Sequence, residues 1–476
     1  MKHFLILLAL LLLLLPLFKL PARAQPSEGE GGKTRSTIYT DEKVANARKN
    51  IQRYDWARKM RDNAVQEAEK YLGYGEERLW EMVTPQSLPR SYAVNYELGS
   101  PITGKEFNEK YGYRGWLADP LNEPWKLTDP SSGYKFPTND FESYYKSGLD
   151  EHGIFDPKRA DKRFLINELY PEKGPDWGVD DGFGWVDEEG NRWTFIAYYN
   201  HWHVWHGGVV DNAIRAFRDA YLYTGDLRYA RAGIILLDRV ADVYPEMDVS
   251  VYKEEDGFLN SHGGTGKGKI RGSIWEATAV PNYLSAYDAF FPVVEESGAV
   301  EFLRDKAREY KLDNPKDTAD AVRKNIEDNL VRQIFPAVKN AQIRGNFGMH
   351  QRALAMAAVV LDEPGTTEAW IDWVFQTGGL YSTPDWHLTG GNVMTTLVNQ
   401  VDRDGFGDEP STEYNSYWLQ QIMDVADVLQ ERQVTEDVRH PLPAGDGEQL
   451  HPHHRRLLQD GESRDRRNGP GTRQGL

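Results

Sequence analysis

Two segments carry the side chains best suited to chemistry. The first is Arg344-Gly345-Asn346-Phe347-Gly348-Met349-His350-Gln351, which opens an apolar helical run. The second is Glu409-Pro410-Ser411-Thr412-Glu413-Tyr414-Asn415-Ser416-Tyr417. Together they place an amide, an imidazole and a phenol at helix starts. Such groups can neutralise a sugar carboxylate, take the adjacent carbon-bound proton and protonate a leaving glycosidic oxygen.

Asn346 and His350 precede Ala353, Leu354, Met356, Ala357, Val359 and Val360, so they sit at a helix N-terminus, whose free amide hydrogens favour anions. The alternative is that Asn346 caps the helix and His350 is a satisfied core residue. Tyr414 and Tyr417, three apart, share a helical face before Trp418, Ile422, Val425 and Leu429. They are either reacting phenols or an aromatic stripe packed on a neighbouring helix.

His201-Trp202-His203-Val204-Trp205-His206 forms a second dense site. His203 and His206 would share a helical face, but no carboxylate pattern completes a zinc signature. The favoured reading is a wall of a sugar groove, with Trp202 or Trp205 stacked on a pyranose and His203 beside them. Arg344, Gln351 and Tyr417 complete the expected substrate contacts. Neither a metal nor a cofactor is expected.

The loop Gly263-Gly264-Thr265-Gly266-Lys267-Gly268-Lys269 lacks the strand and spacing of a phosphate loop. It reads as a flexible loop offering Lys267, Lys269 and Arg271 to an acidic ligand. Carboxylate pairs suited to glycoside hydrolysis, such as Glu409 with Glu413 or Asp402 with Asp404, also occur. Among 73 acidic residues such pairs discriminate little.

The elements that position these groups are helices. Apolar residues recur at helical spacing from 41 to 72, then in hairpins over 202–224, 226–244, 272–294, 299–310, 316–336, 348–361, 366–377, 387–400 and 412–432. Turns such as Thr224-Gly225-Asp226 separate them. The pattern predicts an all-α fold, an α/α toroid or solenoid, with no convincing strand. Residues 84–190, rich in Pro, Gly, Trp and Tyr, read as an ordered irregular insertion that lines a groove.

The ends differ from this body. Residues 1–24, a basic start, an apolar run and Ala22-Arg23-Ala24, read as a secretory signal peptide. Residues 25–40 read as a solvated leader, and the mature chain is expected to be secreted or periplasmic without a membrane span. The tail, 433–476, clusters Arg and His and reads as disordered or as the product of a shifted reading frame. At 476 residues and 40% hydrophobic content the chain can bury a large core, and with no cysteine, thiol chemistry is excluded. A formal charge of −17 argues against nucleic acid and acidic lipid as partners. An acidic glycan still fits if a cleft gathers basic groups locally.

In this order the segments resemble the heparinase II/III-like polysaccharide lyases, over about residues 41–432. The likeness rests on Asn50-Ile51-Gln52-Arg53-Tyr54-Asp55-Trp56-Ala57, Leu88-Pro89-Arg90-Ser91, Ala220-Tyr221 with Thr224-Gly225-Asp226, and Gly272-Ser273-Ile274-Trp275-Glu276. It rests also on the Asn346 and Tyr414 segments. The resemblance implies an incomplete α/α toroid followed by a β-sandwich, and β-elimination on uronate-containing polysaccharides. Asn346 or His350 would neutralise the uronate carboxylate, and Tyr414 would exchange protons with the ring and the leaving oxygen. No β-sandwich is encoded after the helices, so a fragment with weak or no activity is expected. A toroidal glycoside hydrolase and a non-catalytic glycan-binding protein are the competing readings.

Overall fold

A computed structural model describes residues 32–402, 407 and 411–433 of the chain. The signal-peptide stretch, the tail and Asp404 and Glu409 lie outside the described residues. What is described is mostly helical, with three two-residue antiparallel ladders.

The expected first helix is two. Helix α1 (Asp41–Arg53) ends where Tyr54 turns extended, at φ −121 and ψ 138, and α2 (Asp55–Leu72) restarts immediately. The apolar spacing continues across the break, which is why periodicity alone joins them. Thr40 caps α1, its hydroxyl accepting from Lys43 N–H. The segment 84–190 follows the short α3 (Glu76–Glu81) and holds α4 (Glu106–Tyr111), α5 (Phe141–Ser147), the ladder of β1 (Leu127–Thr128) with β2 (Lys135–Phe136), and β3 (Trp185–Val186). Beyond it, β4 (Arg192–Trp193) pairs with β3 in the register Trp185 to Trp193. Trp116, Phe136, Phe141, Tyr144 and Phe155 are buried, and Trp116 and Phe136 pack on Phe195, so this loop-rich segment shares one core with the helices that follow.

The helical body begins with α6 (Phe195–Tyr199), which continues as a π-turn, Asn200–Trp205. Gly207, at φ 65, then breaks the helix expected over 202–224, and α7 (Val209–Thr224) starts after Gly208. Gly225, at φ 77, closes α7, and Asp226 caps α8 (Leu227–Val243) by accepting from Arg228 N–H. Next come α9 (Glu276–Phe290), α10 (Ala299–Glu309), α11 (Ala319–Ile326) with a π-turn to Val331, α12 (Ile334–Lys339), α13 (Met349–Leu361) and α14 (Thr366–Phe375). A hairpin of β5 (Leu380–Tyr381) and β6 (His387–Leu388) precedes α15 (Val393–Asn399), so the helix expected from 387 starts only after the strand pair. Helix α16 (Thr412–Gln433) ends the described chain.

Helices α7 and α9 run side by side in one direction. His206 meets Trp275 at their starts, 4.7 Å between rings, and Tyr221 meets Phe290 at their ends, 6.0 Å apart. The approach to α13 is joined to the approach to α9, since Arg344 N–H donates to the Ser273 carbonyl at 3.1 Å. Helix α8 returns against α7 and packs also on α9 and α11, while α14 returns against α13. Gly233 of α8 makes this closeness possible, because a Cβ there would lie 2.4 Å from the Phe290 ring.

The supposed leader departs furthest from expectation. Residues 33–39 are not a solvated strand but a strap fastened to Asp288 of α9. Lys33 Nζ donates to its carboxylate at 2.7 Å, with both side chains fully buried. The N–H groups of Thr37, Ile38 and Tyr39 donate to the same carboxylate at 2.7, 2.8 and 2.9 Å, and the Ser36 hydroxyl donates to the Asp288 carbonyl. The Lys33 charge and the backbone donors of the segment are taken up by one buried acceptor. Removing one partner of such a pair strands the other, at about 3–5 kcal/mol. Asp288→Asn should therefore lower unfolding free energy by about that amount in urea titration and expose the segment to protease cleavage. A variant as stable and as resistant as the parent would show that the strap is not fastened there.

Candidate functional site

The starts of α7, α9 and α13 converge, and aromatic and basic side chains collect around them. Trp202 and Trp275 rings lie 5.5 Å apart, and His206 lies 4.9 Å from Trp202. Arg114 covers this group, its guanidinium 4.2 Å from the Trp202 ring centre and 5.5 Å from that of Trp275. Tyr92 and Tyr113 extend the surface, and Tyr96 at its edge is 55% exposed. The Trp202 indole N–H donates to the Tyr92 carbonyl at 2.9 Å, which orients the ring.

The π-turn decides which side chains of the histidine segment face this wall. His206 N–H bonds to His201 carbonyl at 2.7 Å, a five-residue step, and the imidazoles that stack are His201 and His206, 5.5 Å apart and 10° from parallel. The expected pairing of His203 with His206 does not form. His203 turns instead toward Tyr198 and Tyr199. Trp205 is fully buried, and its indole N–H donates to the Thr84 hydroxyl at 2.8 Å, so it offers no face for stacking. Trp202 lies half-buried in this wall, and Trp275, Tyr92 and Arg114 are neighbours that sequence spacing missed. Among the described residues no cluster of three or more His, Asp or Glu is arranged to hold a metal.

Arg271 fastens the site. Its side chain is 2% exposed, and it donates to both Asp211 oxygens at 2.5 and 2.8 Å and to the Tyr283 hydroxyl at 2.7 Å. Burial opposes its charge, but Asp211, Tyr283 and Glu276 together outweigh burial and hold the guanidinium pKa above its ordinary value. Asp211 is correspondingly held low: burial raises it, and Arg271 more than offsets that. Glu276 accepts from Ile270 N–H at 3.1 Å, and burial raises its pKa. The other cations of the glycine-rich loop are also committed to structure. Lys267 pairs with Asp385 at 2.7 Å, and Lys269, lowered to about 8 by burial, donates to the Pro245 carbonyl. None of the three is the free ligand contact expected of it.

Beside the wall lies a cleft of about 470 Å³, lined by His206, Arg215, Arg218, Arg271, Asn282 and Arg352 among others. Arg218 is paired with Asp219 and Arg352 with Asp424. Arg215 donates only to Asn212, so it has no acidic partner among the described residues. Arg114 and Arg344 are likewise without an acidic partner there, in a chain whose formal charge is −17.

Arg344 is half-buried, next to Gly263 and Ile274, and burial lowers its pKa. The Asn346 amide is partly exposed and makes no hydrogen bond among the described residues; only its carbonyl is used, accepting from Met349 N–H. His350 is 6% exposed, with Nδ1 unpartnered. Gln351 is a structural residue: its carbonyl oxygen accepts from Gly348 N–H and its amide donates to the Gly391 carbonyl, both at 2.9 Å. Helix α16 docks on this region through Trp418, 5.6 Å from Phe347, and through Arg352 and Asp424. Tyr417 lies within the field of Arg352, its pKa raised by burial, and Tyr414, one turn earlier, is 52% exposed.

Burial pushes His206 and His350 down to about 3, with Arg271 adding to the shift at the first and Arg344 at the second. Both rings are thus neutral and able to donate and accept at neutral pH. An exposed imidazole titrates near 6.5, so below that pH the unfolded chain binds protons that the folded chain refuses. The contribution of both rings to stability is complete above about pH 6.5 and is lost as pH falls toward 3. Asp180, raised to about 7 by burial, acts in the opposite sense over the same range. Nuclear magnetic resonance titration should find the His206 and His350 rings still neutral at pH 5; midpoints near 6.5 would contradict the burial described. Compared with protein-family models, curated proteins and solved structures, the chain matches none of them.

Proposed function

We propose that this chain is a polysaccharide lyase of the heparinase II/III-like type, built on an incomplete α/α toroid, that cleaves an acidic, uronate-containing glycan by β-elimination. The observation that carries the reading is the set of guanidiniums without an acidic partner among the described residues, Arg114 and Arg344, around an aromatic wall in a strongly acidic chain. Sugar rings stack on Trp202 and Trp275, and carboxylates supply the missing counter-charges. The parallel run of α7 and α9 with returning α8 supports the toroid, and 84–190 supplies Tyr92, Tyr113 and Arg114 to one bank of the groove. The apolar opening of the chain supports export to a secreted or periplasmic location. Among the described residues no helix is long and apolar enough to cross a membrane.

In this mechanism the Asn346 amide and Arg344 neutralise the uronate carboxylate, which makes the C5 proton more acidic. His350, buried beside Arg344, positions that group as a neutral ring. The Tyr414 oxygen takes the C5 proton as its own hydroxyl proton passes to the leaving oxygen, the C5–H electron pair forms the C4=C5 double bond, and the C4–O bond breaks toward oxygen. The phenol is thereby regenerated with the proton that came from C5.

Whatever turnover the chain shows, Tyr414→Phe should abolish it while leaving glycan affinity within about twofold, because a phenol that acts in the transition state contributes little to ground-state binding. Appearance of the ultraviolet-absorbing unsaturated product measures this directly. A second assignment, Tyr417, is favoured by its place beside Arg352. A Tyr417→Phe variant that is silent while Tyr414→Phe turns over normally would transfer the role to it.

The wall has its own test. Trp275→Ala removes a stacking face of a kind that contributes about 0.5–1.5 kcal/mol beyond area burial. Glycan dissociation constants should rise by about tenfold, measured by calorimetry. An unchanged constant would remove the wall from the binding site.

A further inference from the structure

The cleft and the strap meet. Along α7 the cleft lining runs from Gly207 to Arg218, about 16 Å at 1.5 Å per residue. His206 and Arg271 stand at the end shared with the aromatic wall, whereas Arg218 of α7 and Ser285 of α9 stand at the far end. Tyr39 and Ile38 also line the cleft, and Tyr39 lies next to Arg218 and Ser285. They reach that place only because the preceding residues are fastened to Asp288, whose carboxylate accepts from the N–H groups of Ile38 and Tyr39 themselves.

From this we infer that Tyr39 is a specificity-determining residue that closes the far end of the cleft, so that the protein engages a chain end of its acidic glycan rather than a chain interior. This rests on the acidic-glycan reading of the cleft. A groove open at both ends accepts a polymer anywhere along its length, but one closed by a fastened aromatic ring accepts only what can enter from the mouth. The closing group is held firmly enough for this. Displacing it would strip hydrogen bonds from a buried carboxylate, which is costly when no other donor replaces them. The unpaired Arg215 lies between mouth and end, so an entering chain places a carboxylate there. Elimination at the wall then releases short products from one terminus.

Uronate oligosaccharides carrying a bulky fluorescent group at one terminus or at the other, compared with the unlabelled oligosaccharide, provide the test with the full chain. Calorimetry should show one labelled form bound at least tenfold more weakly than the unlabelled compound and the other bound equally well. Tyr39→Ala should reduce that difference to less than threefold, and Tyr39→Phe, which keeps the ring, should preserve it. Equal tolerance of both labels by the parent protein would overturn the inference, and that result needs no variant to fold. An unchanged discrimination in a folded Tyr39→Ala would overturn the role of Tyr39. If the end preference is seen without any unsaturated product, the closed cleft stands and the lyase reading falls. If no oligosaccharide binds, both fall.

Discussion

The Arg271 guanidinium, buried and paired with Asp211, is the interaction on which the rest of the site depends. It ties the approach to α9 onto the first turn of α7, and through Tyr283 onto α9 itself. Trp275 is four residues further on, so the same bond sets how close that indole comes to His206 and Trp202. A buried ion pair is a poor source of stability, since desolvation costs about as much as the attraction returns. Its value here is geometric, because a charged, forked donor accepts few alternative arrangements. Without it, the starts of the helices would still pack, but their register would rest on apolar contacts that tolerate sliding.

The same device recurs where elements distant in sequence must be held. Asp288 gathers the strap, and Lys316 is buried between Asp238 and Asp242, joining the loop before α11 to α8. The chain contains no cysteine, so no disulfide can do this work. Each fastener places a single charge among several partners rather than a simple pair. Asp288 takes five donors from the strap, and the Lys316 ammonium donates to two carboxylates, both of which also accept from Asn325. Full satisfaction of the buried polar groups is what makes such sites tolerable.

Much of this was legible in the sequence, and the rest was hidden for identifiable reasons. The turn Thr224-Gly225-Asp226 reads correctly because glycine in the left-handed region and an aspartate cap are local requirements. The ends of α8, α10, α13 and α16 follow from periodicity within one or two residues. Trp202 is half-buried with a face toward the wall, but its neighbour Trp205, fully buried, is not distinguishable from it by type. Only the π-turn, which changes the angular step, sends one outward and one inward. The unbroken helix over 41–72 and the solvated leader fail for a related reason: both depend on contacts with partners hundreds of residues away or on one extended residue. Trp275 was visible in its motif yet carried no spacing to His206, and Arg114 sits in a loop where no period operates.

On the proposed reading, a protein of formal charge −17 binds a polyanion and must overcome its own field. At physiological ionic strength that field decays over about 8 Å, so acidic groups on the far side of the molecule contribute little at the cleft. What matters is the balance within that distance. There, Arg218 and Arg352 are already paired, and Arg271 is consumed by Asp211. The charge left without a carboxylate among the described residues belongs to Arg114, stacked on Trp202, to Arg215, held by the Asn212 amide, and to Arg344, half-buried beside Gly263. Affinity for an anion then comes from contact at these three points and not from long-range attraction. It follows that substituting surface acids distant from the cleft alters solubility far more than binding, while losing any one of the three guanidiniums removes a local counter-charge that nothing nearby replaces.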